Sequence, residues 1–173
     1  MSASLPIADS MVRRYVRTGV VVDTELLVLL AVGRYDETYI PAFKRTAGFT
    51  SEDYEILSGF LARFRSLVLS PQVLAELSNY SYQIPEARLS VFLNTLIELV
   101  SRMTEVHVPK DEIITHGSFR KVGATDAGLI ICCTEGSYLL LSKDRRLCGL
   151  ARQVGVDALH FDELRGYVWF SDH

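Results

Sequence analysis

Cysteine is scarce in this 173-residue sequence: there are three, Cys132, Cys133 and Cys148. An odd number, with no Cys-x-x-Cys and no zinc-type Cys/His spacing, argues against a disulfide framework and for a reducing, cytoplasmic setting. Five prolines and eleven glycines are too scattered to form a linker, and no internal repeat occurs, so the expectation is one domain over 1–173. Neither sign of charge dominates. Eighteen Lys and Arg stand against 21 Asp and Glu, a net charge of −3, so any nucleic-acid contact must rest on a local patch. Long apolar runs are missing as well. The first 19 residues mix acid, Pro and Arg and lack the continuous apolar segment of an export signal. The stretch 20–32 is interrupted by Asp23, Thr24 and Glu25, whereas a bilayer span needs about 20 residues with few charges. What is abundant is hydrophobic residues, at 49%. That excludes disorder as the dominant state and suits a filled core with an oligomer interface, with no membrane expected.

Short apolar strands alternate with helical stretches. Strands are expected at Val20–Val22, Leu67–Leu69, 105–108, 138–141 and 158–161. Ser70 before Pro71 is a helix start, so 71–80 should be helical. Helical spacing continues over 86–103, from Pro109 to about 119, from Asp126 to about 135 with Thr125 as cap, and over 145–154. Strands that are apolar throughout, separated by helices, predict an α/β fold, a three-layer α/β/α sandwich with a mostly parallel central sheet. The segment 36–64 breaks this rhythm and reads as a helical insertion within the domain. Ser51 and the acids Glu52, Asp53 and Glu55 mark a helix N-terminus in it.

Four acids stand out by their position. Asp23 closes the first strand, Glu76 lies in the helix after the second, Asp126 begins a helix, and Asp144 follows the strand ending at Leu141. In a parallel α/β sheet, ligands bind outside the carboxyl ends of the strands, so all four acids face one edge. Like charges so close raise one another's pKa, and a hard divalent cation relieves the repulsion. Each acid has an ordinary reading too. Asp126 and Asp144 suit helix capping, and Glu76 suits a solvated helix position. Asp23 fits such a reading poorly, because an acid directly after Val-Val-Val lies near the core, where an unpaired charge is costly.

The segments carrying these acids are Val20-Val21-Val22-Asp23-Thr24, Leu69-Ser70-Pro71-Gln72-Val73-Leu74-Ala75-Glu76-Leu77-Ser78-Asn79, Gly123-Ala124-Thr125-Asp126-Ala127 and Leu140-Leu141-Ser142-Lys143-Asp144. In this order they resemble the motifs of PIN-domain nucleases, over about 20–161. The resemblance implies a PIN-like α/β/α fold and a carboxylate cluster, Asp23, Glu76, Asp126 and Asp144, that binds one or two Mg²⁺ or Mn²⁺ ions and is catalytic. It implies metal-dependent hydrolysis of RNA, in a VapC-like ribonuclease that is the toxin of a toxin–antitoxin pair, with an antitoxin protein as partner and a homodimer as its assembly. Thr24 and Ser142 match supporting positions of the family. The chain is longer than a minimal member, through 36–64 and the first 18 residues.

Substrate phosphates require cations nearby. Lys121, Lys143 and Arg145 flank the acids in sequence, and Lys44 and Arg45 come from the insertion, so these five are the expected contacts to the phosphates of the single-stranded RNA that the resemblance implies. The histidines (His107, His116, His160, His173) show no ligand spacing, and His107 and His160 read as structural residues within strands. Cys132 and Cys133 read as small core residues. Two other readings fit the sequence less well. A PIN-like module that binds RNA or protein without cleaving has no need to keep a repulsive quartet. A dehalogenase-like hydrolase wants Asp-x-Asp after the first strand, where this chain has Asp23-Thr24-Glu25. The absence of a Gly-rich phosphate loop argues against a P-loop enzyme.

Overall fold

Val20–Val22 (β1) forms the middle of the sheet: its three β-branched side chains are fully buried, as a strand covered on both faces requires. The computed structural model describes residues 4–171, with side chains over 9–166. β1 pairs in parallel with Leu67–Leu69 (β2) on one side and Leu139–Ser142 (β4) on the other. Thr104–Glu105 (β3) lies beyond β2, and Ala158–His160 (β5) beyond β4. All five strands are parallel, in the order β3-β2-β1-β4-β5. The chain therefore builds outward from β1 in one direction, then returns to build outward in the other. The reversal falls between β1 and β4.

Helices cover the sheet as two layers, so the α/β/α expectation holds. Thr24–Tyr35 (α2) packs against Ser51–Leu61 (α3), Pro71–Ser81 (α4) and Glu86–Val100 (α5), while Phe119–Gly136 (α7) packs against Lys110–Thr115 (α6) and Arg145–Gln153 (α8). α2 is buried from Leu26 to Gly33 on every side, the pattern of a core helix rather than an amphipathic one. Ser4–Tyr15 (α1), in the N-terminal extension, packs against Phe161–Ser171 (α9). Among the described residues no helix is long and apolar enough to cross a membrane.

Some local expectations hold and others shift. The helix N-terminus expected at Ser51 holds, with Glu52 and Asp53 in the first turn of α3 and Thr50 as its cap. Thr50 accepts from the Asp53 N–H, and the Asp53 side chain answers to the Thr50 N–H at 2.9 Å, a reciprocal capping box. Asp53 also forms a two-pronged pair with Arg165 at 2.6 and 2.7 Å, which ties the insertion to α9. The first half of 36–64 is a 3₁₀ turn at Glu37–Tyr39 followed by turns. These are held by tertiary burial of Ile40, Phe43 and Phe49 rather than by helical periodicity. The helix expected up to 119 stops at His116, which is extended, and α7 then runs from Phe119 with a break at Gly123. His107 is exposed and lies past the end of β3, so the structural role read for it inside a strand does not hold. His160 does play that role. It is buried, with Nε2 2.6 Å from the Lys143 carbonyl and Nδ1 accepting from the Asp162 N–H. Phe161 begins α9 rather than ending β5. Cys132, Cys133 and Cys148 are buried free thiols. His173 lies outside the described residues.

Candidate functional site

Asp23 leaves β1 with its backbone N–H still on the ladder, donating to the Leu141 carbonyl at 3.1 Å. The side chain caps α2, with Oδ1 accepting from the Leu26 N–H at 3.1 Å. Oδ2 accepts from the Ser142 hydroxyl and from the Lys143 N–H at 3.1 Å. The Ser142 oxygen in turn accepts from the Asp144 N–H at 2.9 Å. One fully buried hydroxyl at the end of β4 thus joins Asp23 to the loop that carries Asp144. Asp23 itself is only 7% exposed, and burial pushes its pKa up to about 6 against the three hydrogen bonds that favour the charged form.

Glu76 is gripped at both oxygens. The Thr24 hydroxyl donates to Oε2 at 2.5 Å and the Thr125 hydroxyl to Oε1 at 2.7 Å. Thr125 was expected to cap the helix carrying Asp126, and its side chain is used on Glu76 instead. The second part of α7 is set off by Gly123, whose φ of 84° and ψ of −176° suit glycine alone. Asp126 stands three residues on, in the first turn of that part, and accepts no hydrogen bond among the described residues. Its pKa is pushed up to about 6, first by burial and then by the charges of Asp144, Asp23 and Glu76. Asp144 caps α8, with Oδ1 accepting from the Arg146 and Leu147 N–H groups at 2.7 and 3.1 Å. Its ordinary role as a cap is therefore real, and it occupies one oxygen.

All four carboxylates line one cleft of about 370 Å³ at the carboxyl edge of the sheet. The cleft sits over the reversal between β1 and β4, where open α/β sheets bind ligands. Glu25 adds a fifth acid, while Lys44, Arg45 and Tyr80 also line it. Sequence reading missed Tyr80, although it stands four residues after Glu76 and so shares its helix face. A second cleft of about 360 Å³ has Asp157 as its only acid, already bound by Arg14 at 3.0 Å and the Tyr15 hydroxyl at 2.8 Å.

Of the five cations expected to meet phosphate, Lys44 and Arg45 line the cleft and the other three do not. Lys143 lies over the Phe49 ring, 4.0 Å from its centre, and 3.5 Å from Glu25. Arg145 pairs with Asp162 at 2.8 Å. Lys121 is exposed on the first part of α7.

Among the described residues no three Asp, Glu, His or Cys side chains approach closely enough to ligate one ion directly. The donor set still fits a hard cation that keeps its waters, because Mg²⁺ is commonly held through one or two carboxylates only. Among the described residues Asp126 is unpartnered and Asp144 has one oxygen uncommitted, whereas both oxygens of Asp23 and of Glu76 already accept hydrogen bonds.

No family model and no curated protein matches the chain. Among solved structures it is similar to a domain of a functionally unknown protein from Methanocaldococcus jannaschii DSM 2661. That domain is 18% identical over 82% of this chain and 89% of the other, with a TM-score of 0.44.

Proposed function

We propose that the chain is a metal-dependent endoribonuclease of the PIN-domain kind, hydrolysing RNA phosphodiester bonds at the four-carboxylate cleft. One observation carries the reading: acids from four separate segments converge on one cleft at the topological reversal, and one of them, Asp126, is raised in pKa and unpartnered. Such acids destabilise one another in the absence of a cation, and perturbed carboxylates in a cleft mark functional sites.

Asp126 and Asp144 would hold Mg²⁺ or Mn²⁺, one or two ions, beside the ordered carboxylates of Asp23 and Glu76. A cation there would supply an acidified water and offset charge on the phosphate. The protein's own part is orientation. Ser142 and the Lys143 N–H fix Asp23, and Thr24 with Thr125 fixes Glu76, so neither carboxylate has to be ordered when substrate arrives. Asp126, raised to about 6 by burial and by its acidic neighbours, is the carboxylate whose repulsion a cation would relieve most directly.

The test is cleavage of mixed single-stranded RNA by the purified protein with Mg²⁺, Mn²⁺ or EDTA, beside Asp126→Asn. Cleavage that requires both the metal and Asp126 is the expected result. Equal cleavage by the variant assigns the activity to a contaminant. Tight RNA binding without cleavage favours a non-cleaving module. The likeness to stand-alone PIN ribonucleases extends the proposal to a homodimer and a toxin role. Growth arrest on expression, relieved by a small neighbouring gene, is the corresponding observation for an antitoxin.

A further inference from the structure

Three cations of the surrounding segments are already paired with acids. Lys143 lies by Glu25, Arg145 by Asp162 and Arg88 by Asp36. Lys44 and Arg45 line a cleft with five acids, yet neither makes an ion pair among the described residues. Their position is fixed by what flanks them. Phe43 before them is buried, and Thr46 after them is fully buried, its hydroxyl donating to the Ile40 carbonyl at 2.7 Å. Turning between two anchors, the chain must present Lys44 and Arg45 outward. The Arg45 guanidinium lies 4.2 Å from the centre of the Tyr80 ring, and its Nε donates to the Gln83 Oε1 at 3.0 Å. Both holds are neutral, so the charge stays uncompensated while the direction is set. The charges that act on Asp126 are those of the other acids, and neither Lys44 nor Arg45 relieves it. The cleft is thus lined by five acids and by two cations that no acid neutralises.

We infer that Lys44 and Arg45 form an anion subsite that grips the substrate phosphate next to the scissile one, with Tyr80 as the platform that aims Arg45. This rests on the phosphodiesterase reading above and deepens it, since the insertion then sets how tightly a strand is held, while the acids set what is cleaved. A guanidinium presents a planar fork suited to a phosphate's paired oxygens. Its entropy cost is reduced because the platform has already ordered it.

Two substrates separate the subsite from the chemistry. One is a short labelled single-stranded oligoribonucleotide. The other is a dinucleoside monophosphate, which has one phosphodiester and no neighbouring phosphate. On the oligonucleotide, Arg45→Ala is expected to raise KM about tenfold, the loss of one charge-assisted hydrogen bond, with kcat within about twofold. The slope of log affinity against log salt, measured by anisotropy on Asp126→Asn protein with and without the Arg45 change, should flatten by about 0.7. Arg45→Lys restores part of the loss, Tyr80→Phe retains the platform, and Tyr80→Leu behaves like Arg45→Ala. Arg102→Ala, which removes the same charge at the opposite edge of the sheet, moves neither value. On the dinucleoside monophosphate, wild type and Arg45→Ala should share one KM. Unchanged KM and salt slope in an actively cleaving Arg45→Ala protein sinks the subsite and leaves the nuclease reading standing, as does an equal KM increase on both substrates. No metal-dependent cleavage by wild type sinks both.

Discussion

Replacing Asp126 by Asn removes a charge and no hydrogen bond, because the carboxylate accepts none among the described residues, so its energetic effect isolates electrostatics. The free acid has a pKa near 3.8 and the folded one near 6. A carboxyl whose pKa is raised by folding binds more protons in the native state, so stability falls as pH rises from about 4 to about 6 and is then level. Two units correspond to about 3 kcal/mol, an upper value for a partly buried group. In metal-free buffer at about pH 8, Asp126→Asn is therefore expected to be more stable than wild type by about 1–3 kcal/mol. For a chain of this length that is about 3–10 °C in Tm. The gain should shrink to about half at pH 5 and vanish below about pH 4. Thermal unfolding across that pH series, in EDTA, reads it directly. Adding Mg²⁺ or Mn²⁺ should then reverse the order: a ligand at a hundred times its Kd stabilises by about 2.7 kcal/mol, and the variant has lost a ligand group. A variant less stable than wild type at pH 8, or a gain equal at pH 5 and pH 8, would refute the argument that Asp126 is held against repulsion.

Ser142→Ala leaves Asp23 Oδ2 with the Lys143 N–H alone and the Asp144 N–H without its acceptor. It should cost about 1–3 kcal/mol by denaturant unfolding and move the acid limb of the RNA-cleavage profile to higher pH, since a donor favouring the charged form of Asp23 is gone. Gly123→Ala meets no atom within 4 Å, so its cost of about 1–3 kcal/mol is backbone strain alone. Activity should fall more than stability as Asp126 shifts, which parallel cleavage and unfolding measurements separate. Arg165→Ala strands the buried Asp53 and should cost about 2–4 kcal/mol. Burial alone would raise the Asp53 pKa, but Arg165 and Thr50 outweigh it and hold it below the carboxylate range. That stability is present at neutral pH and lost as pH falls through the folded pKa, so wild type and variant should converge in acid.

The sheet was legible because its strands are buried on both faces and so carry unbroken apolar runs, as Val20–Val22 and Leu139–Leu141 do. Caps were legible where one side chain does the work, as with Ser70 and Asp144, whereas Asp23, expected to fit the capping reading poorly, caps α2 as well. The convergence of the four acids followed from where strands end. What escaped the sequence depends on distant partners. Ile40, Phe43 and Phe49 have no period, because each is buried by tertiary contact rather than on a helix face. Thr125 offers the same hydroxyl to a helix cap or to Glu76, and only the approach of α4 decides between them. His107 lies in a β-like sequence, but β3 is an edge strand of two residues that ends before reaching it.

The ordinary and functional readings of these acids turn out not to compete. Asp144 caps α8 with one oxygen and leaves the other uncommitted. Asp23 caps α2 with one and ties β1 to β4 with the other. Capping fixes a carboxylate's direction without discharging it, so a cap at a strand's carboxyl end is also a preorganised ligand group. Asp23→Asn, for that reason, is a poor probe of chemistry: an amide has one acceptor oxygen where the buried network needs two, and lost activity could report a loosened β1–β4 edge. Asp126 is the acid whose neutralisation leaves that network intact. The site thus divides its four carboxylates into two that are locked, Asp23 and Glu76, one that caps with a single oxygen, Asp144, and one that is costly and without a partner among the described residues, Asp126. The costly one is where a cation has most to gain, because removing repulsion and desolvation strain adds to whatever direct coordination contributes.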